Sequence, residues 1–476
     1  MQPRRGRLAL LVCVALAGAA CGLSPGAASD LQRAVGSGGL GSSGLSGSSA
    51  AGLSGTGAGG TSNGSAGGGG SGSGSAASST GTVPGGGTGG GGAGGGSASG
   101  GGAYETVGIS SNTINIGIHA PATGAAPVPL QAFQTGTKLF WENHTVFGHQ
   151  VVMNFMDDQY NPSVARQVCE SLSRSNFLVI GGAGTDQIQA CATDPFLAQS
   201  HTPYLSDGVT TNGLNALPYY FAISQSYAAQ SPEVYSMVGQ LYPADQKKIW
   251  AVVTENTPNF ADAQASIDTV LNQNGVPYCN IPTPKYYSQQ DAATAVTTAH
   301  SSCHGGSASV VYLDVDPNFW IDMVGAAQAS LFSPDWVGPG LTNGEDLVAA
   351  PVCGESTSTK ASFLSPFPGL DKQPAGFQAE SNPAPDSTAS SRDIEMDVYG
   401  VSEIVYQALL SVGSIQNLTR DNFIAAMGRF SGTYSSPFTV YRGINFNGGH
   451  FGGLGMWEEQ LNCGSQQYTT AGSQGG

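Results

Sequence analysis

The 476-residue sequence predicts an α/β protein made of two doubly wound parallel-sheet lobes, preceded by a long low-complexity tether. Two observations predict the lobes. From residue 114 onward, short apolar runs alternate with segments of helical periodicity, and the alternation comes as two successive sets. A third observation sets the tether apart: of the 82 residues from 22 to 103, 34 are Gly and most others are Ser, Ala or Thr. That stretch holds one acid, Asp30, one base, Arg33, and no aromatic residue. It cannot bury enough apolar surface to offset chain entropy and is expected to be disordered. A single 476-residue globule is thereby excluded, and about 373 residues remain, enough for two packed lobes.

At the N-terminus, Arg4, Arg5 and Arg7 precede the apolar run Leu8–Ala20, which is too short for a comfortable membrane span. Small residues, Ala17-Gly18-Ala19-Ala20, lead into Cys21. A basic start, a short apolar run and a small-residue exit describe a secretory signal over residues 1–20. The segment resembles a bacterial lipoprotein signal, which implies a lipid on Cys21, although the usual Leu three residues before the Cys is Gly18 here. Ordinary cleavage after Ala-x-Ala is the alternative. A Gly/Ser coil of this length spans about 50 Å on average and roughly 280 Å when stretched.

The lobes follow element by element. Ile114–Ile118 and Val151–Phe155 read as strands. Asn161 and Pro162 start a helix, with Val164, Val168 and Leu172 on one face. Phe177–Ile180 is a strand, Gly181–Gly184 a loop, Asp186–Gln199 a helix and Thr202–Leu205 a strand. The second set opens with a helix lined by Val234, Met237, Val238 and Leu241. Strands at Ile249–Val253, Val276–Ile281 and Ser309–Leu313 alternate with helices at Phe260–Asn274, Asp291–His300 and Pro317–Ser330. Continuous apolar strands between helices mean parallel sheets covered on both faces. Ser356–Ser391, rich in Pro and Ser, reads as a crossover loop.

Charge and cysteine usage narrow the function. The 32 acids less Asp30 leave 31 in the folded part, and the 16 bases less Arg4, Arg5, Arg7 and Arg33 leave 12. A net charge near −19 repels phosphate backbones and excludes nucleic-acid binding. Six Cys follow the anchor, an even set that predicts three disulfides in an exported domain. Fifteen connectivities exist, and chain order favours Cys169–Cys191, Cys279–Cys303 and Cys353–Cys463. No Cys-x-x-Cys spacing supports metal binding; His300 and His304 share a helical face beside Cys303 but are not expected to hold a metal. Gly60–Gly64 has hydrolase-elbow spacing but lies in the tether, so it is read as chance. Neither a catalytic constellation nor a cofactor motif is visible. No enzyme and no cofactor are expected.

Several ordered segments resemble the branched-chain-amino-acid-type (Leu/Ile/Val-binding-protein-like) solute-binding proteins. They are Ile114–Gly124 (INIGIHAPATG), Met156–Pro162, Val179–Thr185, Thr202–Ser206 with Thr210, Asp397–Gly400 and Pro437–Trp457. The resemblance covers about residues 112–462. It implies the type I periplasmic-binding fold, a hinged cleft between lobes, and service as the extracytoplasmic receptor of an ABC importer. It also implies a single domain over 104–476, with one lobe at about 112–228 and 356–434 and the other at about 229–355 and 435–465.

By the same resemblance, Gly184 and Thr185 sit in the first ligand loop, where a hydroxyl and backbone groups hold a carboxylate; Thr185 or Asp186 merely capping a helix is the alternative. Gly208 and Thr210 match the second loop, with turn chemistry as the alternative. Phe260 stands where the family often has Tyr, and Gly340 where amino-acid-binding members have Glu. Either Asp314 or Glu345 then supplies the acid for an ammonium, or the solute is not a simple α-amino acid. His119, at the end of the first strand, and Tyr399 are further candidate contacts, core packing being the alternative for Tyr399. Asp157 and Asp158 read as a structural turn. The expected function is a lipid-anchored, monomeric solute-binding protein on the outer face of the cytoplasmic membrane. It captures an amino acid or related polar or amphipathic solute for an ABC permease. A ligand-sensing or scaffold lipoprotein acting through a protein partner is the alternative.

Overall fold

The computed structural model describes residues 104–340, 342–380, 391–430, 443–447 and 449–475. The signal segment 1–20, Cys21 and the tether 21–103 lie outside the described residues, as does much of Pro437–Trp457.

The first set of elements runs β1 (Thr113–Ala120), α1 (Leu130–Trp141), β2 (Thr145–Val146), β3 (His149–Asp157), α2 (Pro162–Ser173), β4 (Leu178–Gly181), α3 (Thr185–Ala192), α4 (Pro195–Gln199), β5 (Tyr204–Ser206) and β6 (Tyr220–Ala222). The strands form one sheet in the order β2-β3-β1-β4-β5-β6, parallel except for the β2–β3 hairpin. β1 has β3 on one side and β4 on the other, so the order reverses there, where ligands of open α/β sheets bind. Asn161 caps α2 as expected, accepting from the Ser163 and Val164 amides. The expected helix 186–199 is split. Pro195 has no N–H to continue the first helix, and the Asp194 carboxylate accepts from the Phe196 amide and starts α4 instead.

The second set continues with α5 (Tyr227–Leu241), β7 (Trp250–Glu255), α6 (Ala261–Gln273), β8 (Tyr278–Thr283), α7 (Gln289–Ser301), β9 (Val310–Asp314), α8 (Pro317–Ala329), β10 (Asp335–Gly338), α9 (Asp346–Glu355) and β11 (Lys360–Ser365). Then come α10 (Ala375–Glu380), α11 (Arg392–Ser411), α12 (Arg420–Gly428), β12 (Met456–Asn462) and β13 (Gln467–Gln474). The second sheet has the order β13-β12-β11-β10-β9-β7-β8, parallel except that β12 runs antiparallel to its two neighbours, β11 and β13. Every residue of β7 and β9 is buried, as strands covered on both faces require.

Segment boundaries differ from expectation where pairing decides them. Ser356–Ser391 is not an unstructured crossover: it carries β11, which pairs with β10 and β12 in the second sheet, and α10. The return to the first lobe therefore follows Ser365 rather than residue 356. Asp397–Gly400 lies inside α11, which begins at Arg392. Near the end, Ala222 exchanges backbone hydrogen bonds with His450 and Gly452, so residues 450–452 stay with the first sheet.

α1, α11 and α12 cover one face of the first sheet in a core that includes Ile116, Ile118, Phe133, Phe140, Ile394 and Phe423. α2 and α3 cover the other, joined by Cys169–Cys191. Cys279–Cys303 ties β8 to the turn after α7, and Cys353–Cys463 ties α9 to the end of β12. Arg420 is fully buried and donates to the carbonyls of Phe177, Ser200, Ser173 and Asn176 at 3.1, 2.8, 2.7 and 2.7 Å. It pins α12 to the loops that end α2 and α4.

Candidate functional site

Residues just past the carboxyl ends of strands in both sheets line one cavity of about 50 Å³. Pro121 follows β1, Ala183, Gly184 and Thr185 follow β4, Val315 and Asp316 follow β9, and Pro339 and Gly340 follow β10. Tyr160, Tyr227 and Phe260 add aromatic walls.

The lobes meet around this cavity through direct bonds. Asp186, in the first turn of α3, pairs with Lys285 and accepts from Asn259 Nδ2 at 2.6 Å and Thr257 Oγ1 at 3.3 Å. Asp262, in the first turn of α6, accepts from Thr210 Oγ1 at 3.2 Å, the Thr211 amide at 2.6 Å and Thr211 Oγ1 at 2.7 Å. Asn318 Nδ2 donates to the Ala125 carbonyl at 2.6 Å. These contacts hold the cleft closed.

Four predicted residues come together in the cavity: Gly184, Thr185, Phe260 and Asp314. Gly184 adopts φ +88°, which turns the chain from β4 into α3. Thr185 Oγ1 lies 3.2 Å from the Tyr227 hydroxyl, across the cleft. Tyr227 stacks on Phe260 at 6.1 Å between centroids. Gly340 explains itself beside them. It has φ +84°, and a Cβ there would meet the Tyr227 ring at 2.9 Å. The Tyr227 ring therefore occupies space that a side chain at 340 would need.

Asp314 ends β9, 4% exposed, and among the described residues its Oδ2 has no hydrogen-bond partner. Burial pushes its carboxyl well above the usual range, with Asp262 and Glu255 adding to the rise. Asp316 Oδ1 accepts from the Asn318 amide at 2.7 Å, while its Oδ2 and the Oδ1 of Asn343 are likewise without partners. Burial raises Asp316 to about 6 and Glu255, at the end of β7, to about 7. No Lys or Arg lines the cavity among the described residues. The wall contributed by the second lobe is thus rich in acceptors and poor in donors.

The other candidates stand elsewhere. His119 is fully buried, its Nδ1 2.8 Å from Asp158 Oδ2 and its Nε2 2.7 Å from the Tyr204 hydroxyl, within the first lobe. Tyr399 packs edge-on against Phe140 and Phe377 in the core. Gly208 donates to Ser224 Oγ at 2.8 Å and presses on the crossing between lobes, where a Cβ would meet the Gln225 carbonyl oxygen at 2.0 Å. Thr210 bonds Asp262 between the lobes instead of facing the cavity. Glu345 lies away from the cavity and faces α11. Asp157 gathers the amides of Ala122, Thr123 and Gln159 and the Thr123 hydroxyl. Burial opposes those bonds, yet they hold its carboxyl below the usual range. The turn it organises places Gln159 and Tyr160 at φ 57° and 53°, which turns the chain so that Tyr160 lines the cavity. Tyr160 and Tyr227 carry no sequence signal of their own. The one hint was the acidic turn next to Tyr160.

For metals, two trios bring ligand atoms together among the described residues. In His119, Cys169 and Cys191 the sulfurs are joined to each other. Glu105, His201 and Asp421 lie at the surface, with His201 Nδ1 2.7 Å from Asp421. His300 stacks on Phe332, and Cys303 is bonded to Cys279.

The family model for periplasmic binding proteins matches residues 113–451. The chain belongs to the periplasmic binding protein family. Solved structures agree with its fold. A fatty acid ABC transporter substrate-binding protein from Thermomonospora curvata is 17% identical with TM-score 0.63, covering 78% of this chain and 92% of that one. A branched-chain amino acid ABC transporter protein from Thermus thermophilus with bound valine is 12% identical with TM-score 0.64, covering 77% and 98%. The branched-chain amino acid substrate-binding protein LivJ from Streptococcus pneumoniae, in complex with isoleucine, is 15% identical with TM-score 0.57, covering 76% and 99%. No curated protein sequence matches. The neighbours include Leu/Ile/Val-binding-like substrate-binding proteins, and the two parallel-dominated sheets of this periplasmic binding protein are the type I arrangement. No described helix is long and apolar enough to cross a membrane.

Proposed function

We propose that this chain is an extracytoplasmic solute-binding lipoprotein. It is anchored through Cys21 and holds a small donor-bearing solute, an amino acid or related amine, for an ABC importer. The observation that carries this reading is the acceptor wall of Asp314, Asp316 and Asn343 facing Thr185 and Tyr227 in a closed cleft. Buried acceptors without partners are costly, and an ammonium or amine would satisfy them. Asp314 takes the charge role that a side chain at position 340 cannot. The N-terminus of α3 beside Thr185 suits a carboxylate on the same solute. The segment 1–20 and the tether supply the export signal and reach.

The test is a thermal-shift and calorimetric screen of amino acids and small amines on the native protein. A ligand at 100 times its Kd stabilises the fold by about 2.7 kcal/mol. Asp314→Asn is expected to weaken binding at least tenfold while leaving the unliganded fold as stable as before. Because an ammonium favours the ionised carboxylate, affinity is expected to rise with pH. A screen in which no amine or amino acid shifts the melting temperature refutes the reading.

A further inference from the structure

Adjoining the cleft cavity is a second chamber of about 90 Å³, lined mostly by the first lobe. Its walls are aliphatic and aromatic: Ile118, Ile180 and Leu205 from the sheet, Phe133 from α1, and Val398 and Val401 from α11. Val128 and Ala183 line both this chamber and the cleft cavity, so the two adjoin at that threshold. Gly182 also lines the chamber, and a Cβ there would meet the Phe133 ring at 2.7 Å. Asp207, Glu345 and Asp397 also line it. Asp207 is satisfied there by the Gly208 amide at 2.8 Å and the Ser224 hydroxyl. Protein interiors leave few voids larger than a water molecule, and apolar ones stay dry. An apolar chamber adjoining a ligand cleft is therefore space kept for part of the ligand.

We infer that the solute of the cleft is an amphiphile whose aliphatic part crosses the Val128–Ala183 threshold and fills this chamber. The inference rests on the proposed solute-binding reading and names the solute class within it: an amine or amino acid with an unbranched aliphatic tail. Size follows from volume. An engineered apolar cavity of about 150 Å³ takes a six-carbon ring, so this chamber takes about four carbons beyond the threshold. Among the described residues no Lys or Arg lines the chamber, so the tail ends without a carboxylate or phosphate.

The experiment is calorimetric titration of the intact protein with two homologous series, straight-chain 2-amino acids from four to ten carbons and straight-chain primary amines. Affinity is expected to rise about fourfold per methylene once the tail enters the chamber, then to stop rising when it is full. Val401→Trp, at a partly exposed wall position, fills the chamber and is expected to flatten the series. Should that variant not fold, the wild-type chain-length profile decides alone. Binding that is independent of tail length in both series overturns the chamber's role and leaves the cleft reading standing. An absence of binding in both series refutes the cleft reading, and the chamber inference falls with it.

Discussion

Where the lobes join, carboxyl groups crowd in a cavity with no Lys or Arg in its lining among the described residues, and this makes the protein's stability depend on pH in an unusual direction. Glu345, Asp346, Asp393, Asp397 and Glu459 line one small cavity, and all are buried. Burial raises Glu459 to about 8, with Asp371, Asp393 and Asp346 adding to the rise against a bond from the Gly369 amide. Burial and then Asp393 raise Asp346 to about 8. Glu459 Oε2 and Asp346 Oδ2 have no hydrogen-bond partner among the described residues. A carboxyl whose folded pKa lies above its unfolded value binds more protons in the native state. Its contribution is complete below the unfolded pKa, near 4.5 for Glu459, and is lost as pH rises toward about 8. One such group costs about 1.4 kcal/mol per pH unit in that window. Glu459→Gln removes one proton from this linkage while keeping an acceptor oxygen. For a domain of this size, 1 kcal/mol moves the melting temperature by about 2 °C. Scanning calorimetry from pH 5 to 7 should therefore show the wild type losing about 5 °C more than Glu459→Gln. Parallel curves for the two proteins, or a wild type that gains stability from pH 5 to 7, would refute the reasoning.

Two further outcomes follow from packing. Arg420→Met removes a guanidinium that serves four buried carbonyls, at about 1 kcal/mol or more for each acceptor left without a partner. A loss of about 4 kcal/mol in urea unfolding, with an unchanged slope, is expected; a loss under 1 kcal/mol contradicts the role given to this residue. Gly208→Ala places a methyl against the Gln225 carbonyl oxygen, on the crossing between lobes. Small-angle scattering should show a more open particle and calorimetry a lower melting temperature, whereas a variant unchanged in both would show that the crossing yields without cost.

Much of the fold was legible because it is written locally. β7 and β9 open on the apolar runs Trp250–Val253 and Val310–Leu313, and Asn161-Pro162 and Asp316-Pro317 announce helices through chemistry that needs no tertiary context. The cysteines were legible for the same reason, since two of the three pairs join neighbouring elements. β11 was not: Lys360-Ala-Ser-Phe-Leu-Ser is short and small-sided, and only pairing with β10 and β12 makes it a strand. The site was half legible. Thr185 and Asp314 follow strand ends, which any doubly wound sheet brings to its cleft. Tyr227 and Tyr160 reach the cavity by routes no local pattern encodes, one through the crossing between lobes and one through two consecutive left-handed residues. Gly208 and Thr210 show the reverse case, where a matching motif lies at the crossing and at a contact between the lobes, outside the cavity lining.

The closed cleft also decides how a solute is selected. Asp186, Asp262 and Asn318 supply direct bonds between the lobes, so a solute is not the sole bridge across the cleft. What the cavity lacks, among the described residues, is partners for Asp314 Oδ2, Asp316 Oδ2 and Asn343 Oδ1. A molecule of the right shape without donors would leave those buried acceptors unpaired, at about 1–3 kcal/mol each. Sites built this way reject analogues lacking the donor far more strongly than they discriminate a methylene. Discrimination by head group is therefore steep and set by the second lobe, while discrimination by tail is shallow and set by the first.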